Sequence, residues 1–216
     1  HLCFSRELNT LSVLGPNTIK VKEYLRMART YYPNWDVGME KRLVKQFGLD
    51  VKKKISKMSK GMLSMVTIIV ALASKAEITI LDEPVAGLDV VAREDFYRLI
   101  LEEHEATGRT FVISTHIIEE AANVFGEVIF LKDGKILLKE DTQELLERAV
   151  HVSGLAEEVD SACAHLTVHH TEMIGRSKGV TVLLGEGQSL VDGYDVTVQP
   201  VSLQNLFVAL CGREAS

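Results

Sequence analysis

Asp82 and Glu83 stand side by side after the apolar run Ile78-Thr79-Ile80-Leu81, and Pro84 follows them. Such a run reads as a strand buried on both faces. Ligands of open parallel sheets bind beyond the carboxyl ends of the strands. One acidic residue placed there can hold Mg²⁺, and a second can orient or deprotonate a water. The same Asp-Glu-Pro can also do no more than open a turn. Ser114-Thr115-His116 ends a second short apolar run, 33 residues after Glu83. Parallel pairing of the two runs brings His116 to the same edge. A histidine in that place can donate to a phosphate oxygen or serve as a plain polar cap. Met58-Ser59-Lys60-Gly61-Met62 opens a long apolar helix. The free N–H groups of that helix start favour an anion, to which Ser59 adds a hydroxyl, while N-capping by Ser59 is the simpler reading. Asp89, in Ala86-Gly87-Leu88-Asp89, likewise suits an N-cap.

The elements that must position these residues can be read from periodicity. Val21 to Tyr31 has helical spacing and ends at Pro33-Asn34, and Asp36 caps a second helix that Gly48 stops. Lys52 to Lys57 forms a solvated connector to the helix from about Lys60 to Ala73. Met62, Met65, Val66, Ile69 and Leu72 of that helix read as core. The strand Ile78–Leu81, a helix from about Val91 to Glu105 and the strand Thr110–Ser114 make one βαβ unit, which predicts parallel strands in one sheet. A short helix from Ile117 leads to two strands, Glu127–Leu131 and Lys135–Leu138, joined as a hairpin by Lys132-Asp133-Gly134. Thr142 is placed to cap a helix ending near Ala149. After Val150 short strands (Thr167–Thr171, Val180–Leu184, Asp195–Gln199) alternate with glycine-rich turns, and a last helix buries Leu203, Leu206, Phe207 and Leu210. The boundaries expected are therefore a domain over residues 1–150 and a small α/β appendix over 151–216.

Composition narrows the class. The 216 residues carry 30 acidic and 24 basic side chains, a net charge of −6, with 46% apolar residues. That balance excludes disorder and, without a basic block, argues against nucleic acid as partner. The longest uncharged stretch, Gly61–Ser74, is too short for a membrane span of about 20 residues. Cys3, Cys163 and Cys211 are odd in number and far apart, which fits a reducing cytosol and implies no disulfide framework. His165 and His169 share a strand face, but no cysteine or carboxylate completes a metal site there.

Ser-Lys-Gly-Met, then the strand ending Asp-Glu-Pro, then Ala-Gly-Leu-Asp, then Ser-Thr-His, in this order and over about residues 1–150, resembles the ATP-binding subunit of ABC transporters. The resemblance implies an α/β fold with a P-loop NTPase-like, RecA-like parallel sheet and a helical subdomain, with ATP and Mg²⁺ as cofactors. It implies that Asp82 lies on the Mg²⁺ side of the Walker B motif, that Glu83 is the base for water and that His116 contacts the γ-phosphate. Ser59, Lys60 and Gly61 match the signature motif, which closes on ATP held by a second ATP-binding subunit, the same or a different chain. Lys60, like Met58 and Met62, departs from the common Leu-Ser-Gly-Gly-Gln form. Asp89 matches the D-loop aspartate. Glu7 falls where a glutamine of the Q-loop is usual, by alignment to Cys3-Phe4-Ser5. Tyr32-Pro33-Asn34-Trp35-Asp36 and the appendix look like a bacterial exporter branch, which implies a separate transmembrane permease subunit and a place at the cytoplasmic face of the membrane.

One motif is missing. Gly-Lys occurs only at Gly134-Lys135, where Ile136 follows, so the sequence holds no Gly-x-x-x-x-Gly-Lys-Ser/Thr loop to cradle phosphates. The resemblance puts that loop upstream of the Q-loop, so the expectation is a cassette whose first strands and phosphate loop are cut off ahead of His1, and which alone binds ATP poorly and hydrolyses none measurably. Two other readings stand beside an exporter ATPase. One is a non-catalytic module that keeps the fold and binds a partner, which the missing loop favours and Asp82, Glu83 and His116 oppose. The other is a soluble ABC-type ATPase, which the lack of long heptads and of a basic block opposes.

Overall fold

Strand formation follows the apolar runs. The computed structural model describes residues 2–5 and 19–212. β1 (Leu2–Ser5), β2 (Ile78–Asp82) and β3 (Thr110–Ser114) form a parallel sheet in the order β1-β2-β3. Leu2 pairs with Ile78 and Asp82 with Ser114, so the register aligns the carboxyl ends of β2 and β3.

The helices between them are α1 (Val21–Tyr31), α2 (Val37–Gln46), α3 (Lys60–Ala73) and α4 (Val90–Thr107). Val21, Leu25 and Ala28 put one buried stripe on α1, as the helical period requires. Asp36 caps α2 by accepting from the Met39 N–H at 2.8 Å. Ten of the fourteen residues of α3 are buried, which makes it the central helix of its unit. Val66, Ile69 and Leu72 of α3, Phe96 of α4 and Leu81 of β2 are at most 1% exposed. The α4 helix ends at Gly108, whose φ of 69° suits a left-handed C-cap.

The expectation that β2 is buried on both faces is corrected by the structure. Thr79 and Leu81 are fully buried, but Ile78 is 45% and Val112 of β3 46% exposed. Among the described residues, helices thus cover one face of this sheet and leave the other open.

The chain packs as two units, His1–His116 and Ile117–Ser216. This division lies well before the composition change at Val150 that sets the expected boundary. The reason is a shared core: Val128, Phe130 and Leu145 pack with Val201, Leu203 and Leu206. The last helix therefore belongs with the hairpin, and both fall in the second unit.

That unit starts with α5 (Ile118–Ala121), the antiparallel hairpin β4 (Glu127–Lys132) and β5 (Lys135–Asp141), and α6 (Thr142–Arg148). Asp133 and Gly134 at the turn have φ of 51° and 73°, the left-handed pair a two-residue hairpin needs. Asp141, and not Thr142, caps α6, accepting from the N–H of Gln143 and of Glu144. Then come β6 (Ala149–Leu155), α7 (Ala156–Ala162), β7 (Val168–Ile174), β8 (Ser177–Leu183), β9 (Val196–Pro200) and α8 (Leu203–Cys211). The four strands form an antiparallel sheet in the order β7-β8-β6-β9. Val152, Val180 and Val182 make its core with Val159 of α7.

Burial holds the His169 imidazole of β7 below the usual histidine pKa. The unfolded chain then binds more protons, so this contribution is complete above about pH 6.5 and is lost as pH falls from there through the lower pKa of the folded state. Hydrogen exchange at β7 and β8 is expected to quicken as pH falls below about 6.5, beyond its intrinsic pH dependence. His169→Gln should flatten the change, and an equal change in the variant refutes the assignment.

No helix among the described residues is long and apolar enough to cross a membrane.

Candidate functional site

The carboxyl ends of β2 and β3 bring four side chains together. Ser114 Oγ donates to Asp82 Oδ1, a bond made possible by the Asp82–Ser114 register. Next to it, Glu83 Oε1 accepts from the His116 backbone N–H at 3.1 Å and from His116 Nδ1 at 2.7 Å. The Glu83 N–H donates to the Ser114 carbonyl at 3.0 Å, so the chain leaves β2 while still tied to β3. Sequence reasoning thus placed Asp82, Glu83 and His116 at one edge, as the structure does, and gave Ser114 no separate role.

Glu83 has φ of 46°. A left-handed conformation costs a non-glycine residue of order 1–2 kcal/mol, and such strain gathers at functional positions. Glu83 Oε2 is also buried without a hydrogen-bond partner among the described residues. A buried carboxylate oxygen with no donor is costly, and a bound water or the hydration shell of a cation supplies one. Hard oxygen donors from Asp82, Glu83 and Ser114 suit Mg²⁺ in kind. The His116 side chain is 77% exposed and that of Glu83 29%, so the pair borders solvent.

A second group forms around the start of α3. Ser59 caps the helix, accepting from the Met62 N–H at 3.3 Å. Gly61 lies against Gly87: a Cβ at position 61 would stand 2.3 Å from the Gly87 carbonyl oxygen. Gly87 has φ of 76°, and a Cβ there would meet Lys60 Cβ at 3.1 Å. Ser64 Oγ donates to the Ala86 carbonyl at 2.8 Å. The loop that leaves Glu83 is therefore fastened to the first turn of α3. Its end is fixed as well, since Asp89 caps α4 through the Ala92 N–H at 2.8 Å. The helix-capping readings of Ser59 and Asp89 are both realised. Ser64 and the Gly61–Gly87 approach went unread, although two glycines flanking a predicted helix start and loop were visible. Glu7 lies outside the described residues.

Gly61→Ala is expected to destabilise the first unit by about 1–3 kcal/mol, the usual cost of overpacking, because backbone meets backbone there. Trp35, the one tryptophan of the sequence, reports this unit in a urea titration. A loss below about 0.5 kcal/mol contradicts the contact.

Similarity to known proteins agrees with this fold. A family described as "AAA domain, putative AbiEii toxin, Type IV TA system" matches residues 22–122. The ABC transporter ATP-binding protein YtrB of Bacillus subtilis is 25% identical over 131 residues, 61% of this chain and 45% of the relative. The lantibiotic transport ATP-binding protein SrtF of Streptococcus pyogenes is 32% identical over 104 residues, 48% of this chain and 40% of the relative. Among solved structures, an ATP-binding subunit of an ABC transporter shares 23% identity and a TM-score of 0.57, covering 68% of this chain and 61% of the other. The dimeric ATP-binding cassette MJ0796 bound to ADP and Pi shares 25% identity and a TM-score of 0.53, covering 65% and 62%. The chain spans less than half the length of the curated relatives named here. Its homologues are ATP-binding proteins of ABC transporters, and its α/β fold with a parallel sheet is that of P-loop ABC ATPase domains.

Proposed function

We propose that this relative of ABC transporter ATP-binding proteins is part of the ATP-hydrolysing subunit of an exporter. The observation that carries the reading is the paired arrangement Ser114–Asp82 and His116–Glu83 at one edge of a parallel sheet. Asp82, oriented by the Ser114 hydroxyl, would hold Mg²⁺. Glu83, whose second oxygen lacks a partner, would orient and deprotonate the attacking water. His116 holds Glu83 in place through two hydrogen bonds and, being exposed, can turn towards a phosphate oxygen. Bound Mg²⁺ and ATP supply the electrophilic phosphorus and charge neutralisation, and the protein contributes chiefly position and fixed charge.

Ser59, Lys60 and Gly61 would face the nucleotide of a second ATP-binding subunit, with Asp89 at that interface. Ser59 would then combine its capping bond with a phosphate contact. The partner in transport would be a transmembrane permease, which places the protein on the cytoplasmic face of the membrane. The phosphate-cradling loop is not in this sequence, so the chain alone would bind ATP weakly and turn over none measurably.

The lack of that loop favours a second reading, a non-catalytic interaction module of the same fold. Mg²⁺-dependent ATP hydrolysis by the complete gene product, with Glu83→Gln as control, separates the two. Hydrolysis that Glu83→Gln abolishes supports the first reading, and none in the unaltered protein supports the second.

A further inference from the structure

We propose that residues 20–57 of the first unit form a docking surface for an anionic lipid bilayer. The chain as a whole is acidic, but its charge is divided. Residues 20–60 hold 12 of the 24 basic side chains and 4 of the 30 acidic ones, a net charge of +8 against −14 for the remainder. A polyanionic partner attracts such a segment and not the chain at large.

The fold gathers these cations. Segment 51–55 runs antiparallel beside the start of α1, where Lys20 and Lys54 are direct partners. The Val21 N–H donates to the Lys53 carbonyl at 3.1 Å and the Ile55 N–H to the Ile19 carbonyl at 2.9 Å. The two lysines are therefore a non-hydrogen-bonded pair, the kind whose side chains stand closest. Lys54 opens a 3₁₀ turn, Ile55–Lys57, which puts Lys54 and Lys57 on one side of it. The Lys22 N–H donates to the Val51 carbonyl at 2.9 Å, so Lys22 adjoins the 51–52 peptide, and Arg26 stands one turn further along α1.

The repulsion among them is not relieved internally. Lys22, Arg26, Lys52, Lys54 and Lys57 are exposed, and neither they nor Lys20 make an ion pair among the described residues. The four acidic side chains are occupied by other groups. Glu23 accepts from the Lys20 backbone N–H and Asp50 from that of Lys52, Asp36 caps α2, and Glu40 holds Arg29 and Trp35. Like charges directly opposite in a strand pair, or four apart on a helix, are destabilising, so phosphate groups laid against them offset a strain built into the fold. Apolar side chains choose the kind of polyanion. Met27 is 49% and Tyr31 77% exposed, one turn apart on α1 and next to Arg26. Beside a basic surface such side chains enter the headgroup layer of a bilayer, while the phosphate backbone of a duplex offers them no apolar phase.

The test is sedimentation of the full chain with vesicles of phosphatidylglycerol and phosphatidylcholine in equal parts, with pure phosphatidylcholine as reference. In about 0.1 M salt the mixed vesicles are expected to half-saturate the protein at about 0.1–1 mM lipid, and about 0.5 M salt should release it. Lys22→Gln, Lys54→Gln and Lys57→Gln together should weaken binding about 100-fold, roughly fivefold per lysine. Removing as much charge from the β4–β5 hairpin, by Lys132→Gln, Lys135→Gln and Lys139→Gln, should change it less than about threefold. Met27→Ser with Tyr31→Ser should weaken it at least about threefold. All of these positions are exposed, and circular dichroism checks that each variant is folded. The proposal is overturned by equal binding to phosphatidylcholine, by no binding to mixed vesicles up to about 5 mM lipid, or by binding that the first triple variant keeps. A mixed-sequence DNA duplex at equal phosphate concentration should leave most of the protein on the vesicles, and its release from them overturns the bilayer in favour of nucleic acid. Vesicle binding needs no nucleotide, so either result leaves the reading of Asp82 and Glu83 as it stands.

Discussion

Glu83→Gln in the complete gene product is expected to lower the rate of Mg²⁺-dependent ATP hydrolysis at least about 100-fold, the usual worth of a positioned general base. The substitution keeps shape. A glutamine carbonyl oxygen can still accept from the His116 N–H and Nδ1, as Glu83 Oε1 does now, so the loop and its left-handed residue stay as they are. What is lost is the charge that removes a proton from water. ATP binding should therefore persist while turnover falls. That split distinguishes a lost base from a collapsed site, since a collapse weakens binding too. Turnover within about threefold of the unaltered protein removes Glu83 from the mechanism.

Why was this site legible in the sequence when parts of the fold were not? Asp82, Glu83 and His116 follow short apolar runs at a spacing that allows one crossover helix, so local pattern and topology agree. The long apolar α3 and the caps at Asp36, Ser59 and Asp89 were readable for the same reason, because each lies next to its own helix. β1 is four residues long, too short for periodicity to show. β6 and α7 were missed because Ala149–Leu155 follows a helix without a break. The unit boundary rests on Leu203 and Leu206 reaching back to Val128 and Phe130, a pairing that sequence distance conceals. Burial of β2 on both faces was inferred from composition, but composition does not say whether a covering layer is present. Gly61 against Gly87 is likewise tertiary, and it fixes the start of α3 relative to the loop after Glu83.

Arg109→Met is expected to cost about 3–5 kcal/mol of stability, the range for removing one partner of a buried charged network. An arginine after Gly108 reads as a surface residue in the sequence, yet its side chain is 4% exposed. Its NH1 donates to the Leu72 carbonyl at 3.2 Å and its NH2 to the Ala71 carbonyl at 3.0 Å. Arg109 thus satisfies the last turn of α3, where carbonyls lack helical partners and a cation is favoured. It also stands 3.4 Å from Glu103 of α4 and stacks over the Phe111 ring at 4.8 Å. Glu103 is itself buried and keeps Lys75 at 2.7 Å. Methionine fills comparable space but leaves two buried carbonyls without these donors and Glu103 with one cation in place of two. Arg109→Lys retains the charge and loses the fork that spans two carbonyls, so an intermediate loss is expected. Trp35 fluorescence in urea measures both, because its indole N–H donates to Glu40 within the same unit. A loss below about 1 kcal/mol for Arg109→Met shows that the remaining donors, Ser74 Oγ to the Ala71 carbonyl and the Lys75 N–H to that of Leu72, satisfy the end of α3 without the arginine. A loss of the expected size makes Arg109 the residue that anchors the far end of α3, as Gly61 and Ser64 anchor its start beside the loop from Glu83.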